Sequence, residues 1–318
     1  MGSRMGVNVG SDRDLATDSR MAWILVDGGA KMTNHRVMIL KLSCPDRPGL
    51  VASMSNFIAE EGGNILEMSQ FTDPVAKWFF VRIEFSTESQ DDAEQALIEK
   101  FCDFGNAIGA DWQFSHPMQR KPVAILVTKA AHCLQDLLAR TWSGELPVDV
   151  RVILGNREDL KAVADRYEIP FQHIPVPKED KAPAFKQYQE AIAESGADLV
   201  VLARFMQILP ADFCAAHHGR MINIHHSFLP AFIGANPYRQ AFKRGVKIIG
   251  ATAHYVTSDL DAGPIIDQEV ARVEHYHTPE DLMRLGRDCE CLALSRAVRF
   301  HANDRILVHG NKTIVFRD

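Results

Sequence analysis

From Arg36 onward the apolar positions fall into short blocks whose period switches between two and about 3.6, the spacings that strands and helices impose. Arg36–Leu42 predicts a strand, followed by the turn cluster Ser43–Gly49. Leu50–Ala59 has helical spacing, with Val51, Met54, Phe57 and Ile58 expected on one face, and Gly62-Gly63 ends it. Asn64–Thr72 and Trp78–Phe85 predict two strands, Gln90–Phe104 a second helix and Ala110–Ser115 a closing strand. Strand, helix, strand, strand, helix, strand is the order of the ferredoxin-like split unit, expected here over 36–116.

The pattern changes after a polar, proline-bracketed linker at 117–122. Over 123–318, continuous apolar runs at Val123–Thr128, Val148–Leu154, Leu199–Ala203, Met221–Ile224 and Ile249–Val256 predict strands buried on both faces. Helical segments His132–Thr141, Asp159–Tyr167 and Phe185–Ser195 lie between several of them. This alternation predicts an α/β unit with a doubly wound, mostly parallel sheet and a ligand crevice beyond the carboxyl ends of its strands. Thr278–Asn303 is the strongest helix, with Thr278 as cap, Pro279 in the first turn and Glu280 and Asp281 suited to the helix dipole. Lys312–Phe316 predicts a last strand. Residues 1–34 lack periodicity and are expected to be a disordered or tag-derived extension.

Charge and cysteine usage narrow the partners. A net charge of −6 without a basic cluster argues against nucleic acid. No apolar run approaches the roughly 20 residues that cross a bilayer, and Met21–Val26 is shorter than a signal-peptide core. A cytoplasmic protein with no membrane partner is expected. The six cysteines (Cys44, Cys102, Cys133, Cys214, Cys289, Cys291) are scattered without paired metal spacing, so reduced structural thiols and no metal are expected.

Three strings carry resemblances. Ser43-Cys-Pro-Asp-Arg-Pro-Gly-Leu-Val51 with Gly63-Asn-Ile65 resembles the ACT domain, which implies a small amino-acid effector near Asp46, Gly49, Asn64 and Ile65. Asn223-Ile-His-His-Ser-Phe-Leu-Pro230 and Asp261-Ala-Gly263, with His225 and Asp261 spaced 36 positions apart, are similar to the folate-dependent formyltransferases. That resemblance implies a catalytic trio of Asn223, His225 and Asp261. Attack on a formyl group builds charge on the carbonyl oxygen. Asn223 can donate to it from its amide and His225 from a protonated ring, while Asp261 steadies the imidazolium and relays a proton. Leu202–Pro210 resembles the family segment whose backbone binds the pterin, which implicates Met206, Gln207, Ile208 and Leu209, with His254 and Val256 at further pocket positions.

The formyl acceptor is the remaining question. Glycinamide ribonucleotide transformylases carry a glycine-rich phosphate loop after their first strand, but Thr128–Leu138 contains no glycine. Nor does the acidic chain carry the C-terminal nucleic-acid domain expected of a methionyl-tRNA formyltransferase. The ACT-like start, His132-Cys-Leu-Gln-Asp-Leu-Leu138, Gly234-Ala-Asn-Pro-Tyr238 and Gly250-Ala-Thr-Ala-His-Tyr255 together resemble the formyltetrahydrofolate deformylases. Asn156-Arg157 departs from that family's Asn-His. The resemblance implies hydrolysis of 10-formyltetrahydrofolate by water, giving formate for purine synthesis and tetrahydrofolate, with no tightly bound cofactor and a dimer or tetramer of like chains. Two alternatives stay open. One is a phosphoribosylglycinamide formyltransferase, for which Lys129 could supply a charge, and the other is a catalytically inert amino-acid sensor.

Overall fold

Alternating apolar residues build the first sheet. The strands are β1 (His35–Pro45), β2 (Asn64–Asp73), β3 (Trp78–Glu88) and β4 (Asp111–Ser115), with helices α1 (Leu50–Glu60) and α2 (Asp91–Ile108) between them. They form an antiparallel sheet in the order β2-β3-β1-β4, the split unit expected from the sequence. Met38, Leu40, Leu42 and Cys44 of β1 share one core with Val81, Ile83 and Phe85 of β3, each on the helix side of the pleat. In α1 the buried stripe is Leu50, Met54 and Ile58, while Val51 is exposed and Phe57 half-buried. The expected face was therefore turned by one residue: Met54 and Ile58 belong to both stripes, and Leu50 is the residue that reaches the sheet.

The computed structural model describes residues 35–88, 91–117, 120–230 and 237–317. The expected extension at 1–34, part of the 117–122 linker and most of the Gly234–Tyr238 string lie outside the described residues.

The second unit contains β5 (Lys121–Val127), α3 (His132–Trp142), β6 (Val148–Gly155), α4 (Lys161–Arg166), β7 (Phe171–His173), α5 (Ala182–Ser195) and β8 (Leu199–Ala203). It continues through α6 (Ala211–Ala216), β9 (Met221–His225), α7 (Pro237–Arg244), β10 (Ile248–Tyr255), β11 (Ile265–Arg272) and α8 (Pro279–Ala302), and ends in the hairpin β12 (Ile306–His309) and β13 (Lys312–Val315). The large sheet runs β11-β10-β9-β8-β5-β6-β7. Strands β5 to β9 are parallel, as expected, whereas β10 is antiparallel to β9 and β11 antiparallel to β10. Lys121 and Pro122 already pair with β6, so the linker ends earlier than the sequence suggested. Val123, Ile125 and Val127 enter the core beneath α3 and α8, and Ala124 and Leu126 the core beneath α5. Two-sided burial explains their unbroken apolar run. Helix α8 opens with a reciprocal capping box between Thr278 and Asp281.

The face of the first sheet turned away from α1 and α2 is also buried, with Ile39, Phe80 and Arg82 nearly inaccessible. It packs against the second unit. Lys41 Nζ lies 3.0 Å from Asp304, Arg305 pairs with Glu67 at 3.3 Å, and the His309 ring sits 4.9 Å from that of Trp78.

Candidate active site

Strand alternation aims the site. Ile222 and Ile224 of β9 point into the α3–α8 core, which leaves Asn223 and His225 on the opposite face. Ala251, Ala253 and Tyr255 of β10 make the same division, placing Thr252 and His254 beside them. Because β10 runs antiparallel to β9, His254 stands directly across from Asn223, and Thr252 across from His225. Asn223 Nδ2 lies 3.2 Å from His254 Nε2.

The loop after β10 returns Asp261 to this face. Asp261 has a left-handed backbone, φ 54°, and a Cβ at Gly263 would collide with the Tyr255 carbonyl, so the tight return needs glycine there. Asp261 Oδ2 lies 3.1 Å from His225 Nδ1, and Oδ1 lies 3.6 Å from His254 Nε2. Burial pushes the Asp261 carboxyl upward, but the hydrogen bond from His225, aided by the His225 charge, outweighs it and holds the group well below the usual carboxylate range. Asp261 is thus an anion tied to His225. The other ring nitrogen of His225, Nε2, is buried and has no hydrogen-bond partner among the described residues.

The tautomer of His254 follows from its partners. Its Nδ1 lies 2.9 Å from the Tyr255 carbonyl, which can only accept, so Nδ1 carries a proton. In the neutral ring Nε2 is then an acceptor, and only the NH2 of Asn223 can satisfy it. His226 is held neutral by burial and by the nearby Arg204 charge, which lower its pKa to about 4.

All six residues implicated in pterin binding line one cavity of ≈ 290 Å³ with the trio. Met206 and Ile208 are exposed apolar lips, whereas His254 is 2% exposed and sits at the base beside Asn223. The Met206 N–H donates to Thr128 Oγ1 at 3.0 Å and the Gln207 N–H to the Phe205 carbonyl at 2.9 Å. Those two amides are therefore already engaged within the protein. The four effector positions do not converge. Asp46 and Gly49 follow the end of β1, where Pro45 pairs with Trp78, whereas Asn64 and Ile65 pair with Ser86 and Phe85 at the other end of β3. Eight residues of strand separate the two pairs, on the order of 25 Å.

A second polar cluster adjoins the cavity, and the sequence reading missed it. Glu290 of α8, 1% exposed, receives His132 Nε2 at 2.7 Å and the Tyr238 hydroxyl at 2.8 Å, and Arg204 Nε lies 3.3 Å away. Burial raises the Glu290 carboxyl, yet the His132 hydrogen bond and the Arg204 charge prevail and keep it ionised. Ligand atoms of His132, Cys133 and Glu290 lie within 4.8 Å of one another, a spacing that could admit a metal ion. The carboxylate is already spent on His132, Tyr238 and Arg204, however. A hydrogen bond with Cys291 and burial push the Cys133 thiol well up, so it is no ready thiolate.

Two family models match the chain: the formyl transferase model over residues 121–298 and the ACT domain model over residues 38–101. The formyltetrahydrofolate deformylase of Bacillus subtilis is 45% identical over 278 residues, covering 87% of this chain and 93% of that protein. The Escherichia coli O6:H1 formyltetrahydrofolate deformylase is 41% identical, covering 87% and 97%. Among solved structures, a formyltetrahydrofolate deformylase from Pseudomonas syringae pv. tomato superposes with a TM-score of 0.85 at 45% identity, covering 89% of this chain and 95% of that one. Glycinamide ribonucleotide transformylase 1 from Symbiobacterium toebii matches 62% of this chain and 95% of its own, with a TM-score of 0.59 and 30% identity.

Proposed function

The chain belongs to the formyltetrahydrofolate deformylase family, and from that premise we propose that it hydrolyses 10-formyltetrahydrofolate to formate and tetrahydrofolate with Asn223, His225 and Asp261 as the reacting trio. The observation that carries the assignment is His225: Nδ1 is fixed by the Asp261 carboxylate, and Nε2 is buried without a partner among the described residues. A substrate carbonyl oxygen is the acceptor such a donor lacks.

Water adds to the formyl carbon, and the carbonyl π pair moves to oxygen, where Asn223 Nδ2–H and His225 Nε2–H receive the charge. Collapse breaks the bond to N10, which takes its proton from His225. The attacking water passes one proton to Asp261, from which it leaves to solvent, and solvent reprotonates His225 Nε2 after turnover; the second hydrogen of that water stays on formic acid, which ionises to formate. A carboxyl held so far below its usual range is a weak base, so Asp261 chiefly orients and stabilises the imidazolium and holds a proton only in passing.

His254 positions Asn223 in this scheme by accepting one amide N–H and leaving the other for the oxyanion. His254→Leu is expected to lower kcat at least about tenfold with little change in KM, because an unoriented donor weakens the transition state alone. His254→Gln, which keeps an acceptor oxygen, should recover part of the loss. A raised KM with an intact kcat would make His254 only a wall of the folate pocket.

The decisive assay is formate release from 10-formyltetrahydrofolate by purified protein with no acceptor added. Formate and tetrahydrofolate in equal amounts are expected. Turnover that appears only with glycinamide ribonucleotide would mean a transferase, and none in either case would mean an inert sensor.

The ACT domain supports a small amino-acid effector. We propose that its two half-sites, far apart in one chain, meet across a pair of ACT domains in a homo-oligomer. Six unpaired thiols suit the reducing cytoplasm, where the formate serves purine synthesis and the folate pool is rebalanced.

A further inference from the structure

Tyr255, the last residue of β10, serves both faces of the large sheet. Its backbone lies at the reaction centre. The Tyr255 carbonyl accepts the His254 Nδ1 proton at 2.9 Å and so fixes the tautomer that orients Asn223. The Tyr255 N–H donates to the Pro264 carbonyl at 2.9 Å, and a Cβ at Gly263 would press on the Tyr255 carbonyl. The chain departs for Asp261 just after Tyr255 and returns against it. The peptide groups of this one residue therefore hold both His254 and the foot of the Asp261 loop. The pairing of β10 with β11 shifts register between Ala253 and His254, so the end of the strand depends more on its other anchors.

The side chain goes the other way. The Tyr255 ring is buried in the core beneath α3 and α8, and its hydroxyl lies 2.7 Å from His301 Nδ1 in the last turn of α8. That is the one hydrogen bond of this hydroxyl among the described residues. A buried phenol needs an acceptor, so Tyr255 donates, Nδ1 accepts and the His301 proton sits on Nε2. Burial, aided by the Lys41 charge, lowers the His301 pKa to about 4, and burial raises that of Tyr255, so both groups are neutral near pH 7. Just past the helix, the Asp304 N–H donates to the His301 carbonyl at 3.1 Å. The buried Asp304 carboxylate is gripped by Lys41 of the ACT strand β1 at 3.0 Å and by Lys121 of β5 at 3.2 Å. Lys41, Tyr255, His301 and Asp304 line one cavity of ≈ 420 Å³ where the two units meet.

We propose that Tyr255 is a positioning residue through which docking of the ACT domain aligns the reaction centre. Lys41 fixes Asp304 and with it the end of α8, His301 there holds the phenol, and the Tyr255 backbone holds His254 and the return of Asp261. The inference rests on Asn223, His225 and Asp261 as the reacting trio and adds what their alignment depends on. Phenylalanine would fill the same space in the core, so the buried hydroxyl and its single partner add direction rather than volume. Coupling of this kind runs through contiguous packed side chains and hydrogen bonds, and a mutant cycle measures it.

The test is a mutant cycle in the full chain between Tyr255→Phe and Lys41→Met, with kcat, KM and histidine ring NMR signals read for each. Neither side chain lines the reaction cavity. Tyr255→Phe should lower kcat at least about fivefold, the ordinary worth of one hydrogen bond, with KM changed less than about twofold. Lys41→Met should do the same from the ACT domain, and the double variant should lose no more than the larger single loss. In each variant the His254 ring signals, assigned through His254→Leu, should move. His301→Asn, which keeps an acceptor near the Nδ1 position, should retain most of the kcat that His301→Leu loses. Wild-type kcat in Tyr255→Phe, a loss confined to KM, or single losses that multiply would each overturn the proposal, as would His254 signals that stay in place. If Lys41→Met fails to fold, Lys41→Gln takes its place, since glutamine can still donate to Asp304, and the same outcomes decide. A wild type that releases no formate refutes the hydrolytic reading instead, and the His254 signals then decide the coupling by themselves.

Discussion

Asp261→Asn is expected to lower formate release at least about 100-fold at saturating substrate. Asparagine is nearly isosteric and tolerates the left-handed backbone that Asp261 adopts, so the return loop should keep its course. What disappears is the charge. His225 Nδ1 loses the anion 3.1 Å away that stabilises the imidazolium, and an amide NH2 placed there would oppose the ring proton and favour the wrong tautomer. The variant should also report on stability. Because the folded Asp261 carboxyl is held below its unfolded value of about 3.9, its ionisation stabilises the fold above that pH, and the contribution is lost as pH falls through the folded pKa. The difference in Tm between wild type and variant should therefore be largest near neutrality and shrink on acidification. Near-normal turnover by a folded variant would remove Asp261 from the chemistry.

The parts of the fold that were legible are those in which one period dominates. The first unit could be read through because the β1 alternation, the turn at Pro45–Gly49 and the Gly62-Gly63 stop all agree. The five parallel strands were less evenly readable: β7 is three residues long and carries no pattern of its own. Strand β11 was hidden for a different reason. Its inward position Asp267 is a buried carboxylate bound by Arg296 and Arg317, while Val270 faces outward, so the apolar alternation is broken where an ion pair replaces a hydrophobic contact. The reversal of β10 could not be read at all, because strand direction depends on how the chain travels between strands and leaves no mark on residue period.

That reversal matters for the site. Asn223 and His225 could be paired from their spacing on one strand, but the partnership of His254 with Asn223 exists only because β10 is antiparallel to β9. The resemblance had made His254 a pocket position, and its buried place beside Asn223 assigns it a further task. The Glu290 cluster had a faint signal, a carboxylate between two cysteines in the best helix of the chain. Its partners lie far off in sequence, His132 by 158 residues, and only the packing of α8 over α3 brings them together.

His225→Ala should cost about 100- to 1,000-fold in kcat, the usual consequence of removing one preorganised oxyanion donor. KM should move little, since the charge that His225 Nε2 meets develops only on the way to the tetrahedral intermediate. Asn223→Ala should behave alike, and comparison of the two separates the roles. Each variant leaves one donor on the same oxygen, but His225→Ala also strips Asp261 of its partner and N10 of its proton source. The histidine loss should therefore be the larger, and the double variant should fall short of the product of the two single losses, as is usual for groups that act as a unit. Strictly multiplicative losses would mean that the two side chains serve separate steps. Retention of wild-type kcat in folded His225→Ala would place the oxyanion donors elsewhere, and the buried, unpartnered Nε2 would then need another explanation.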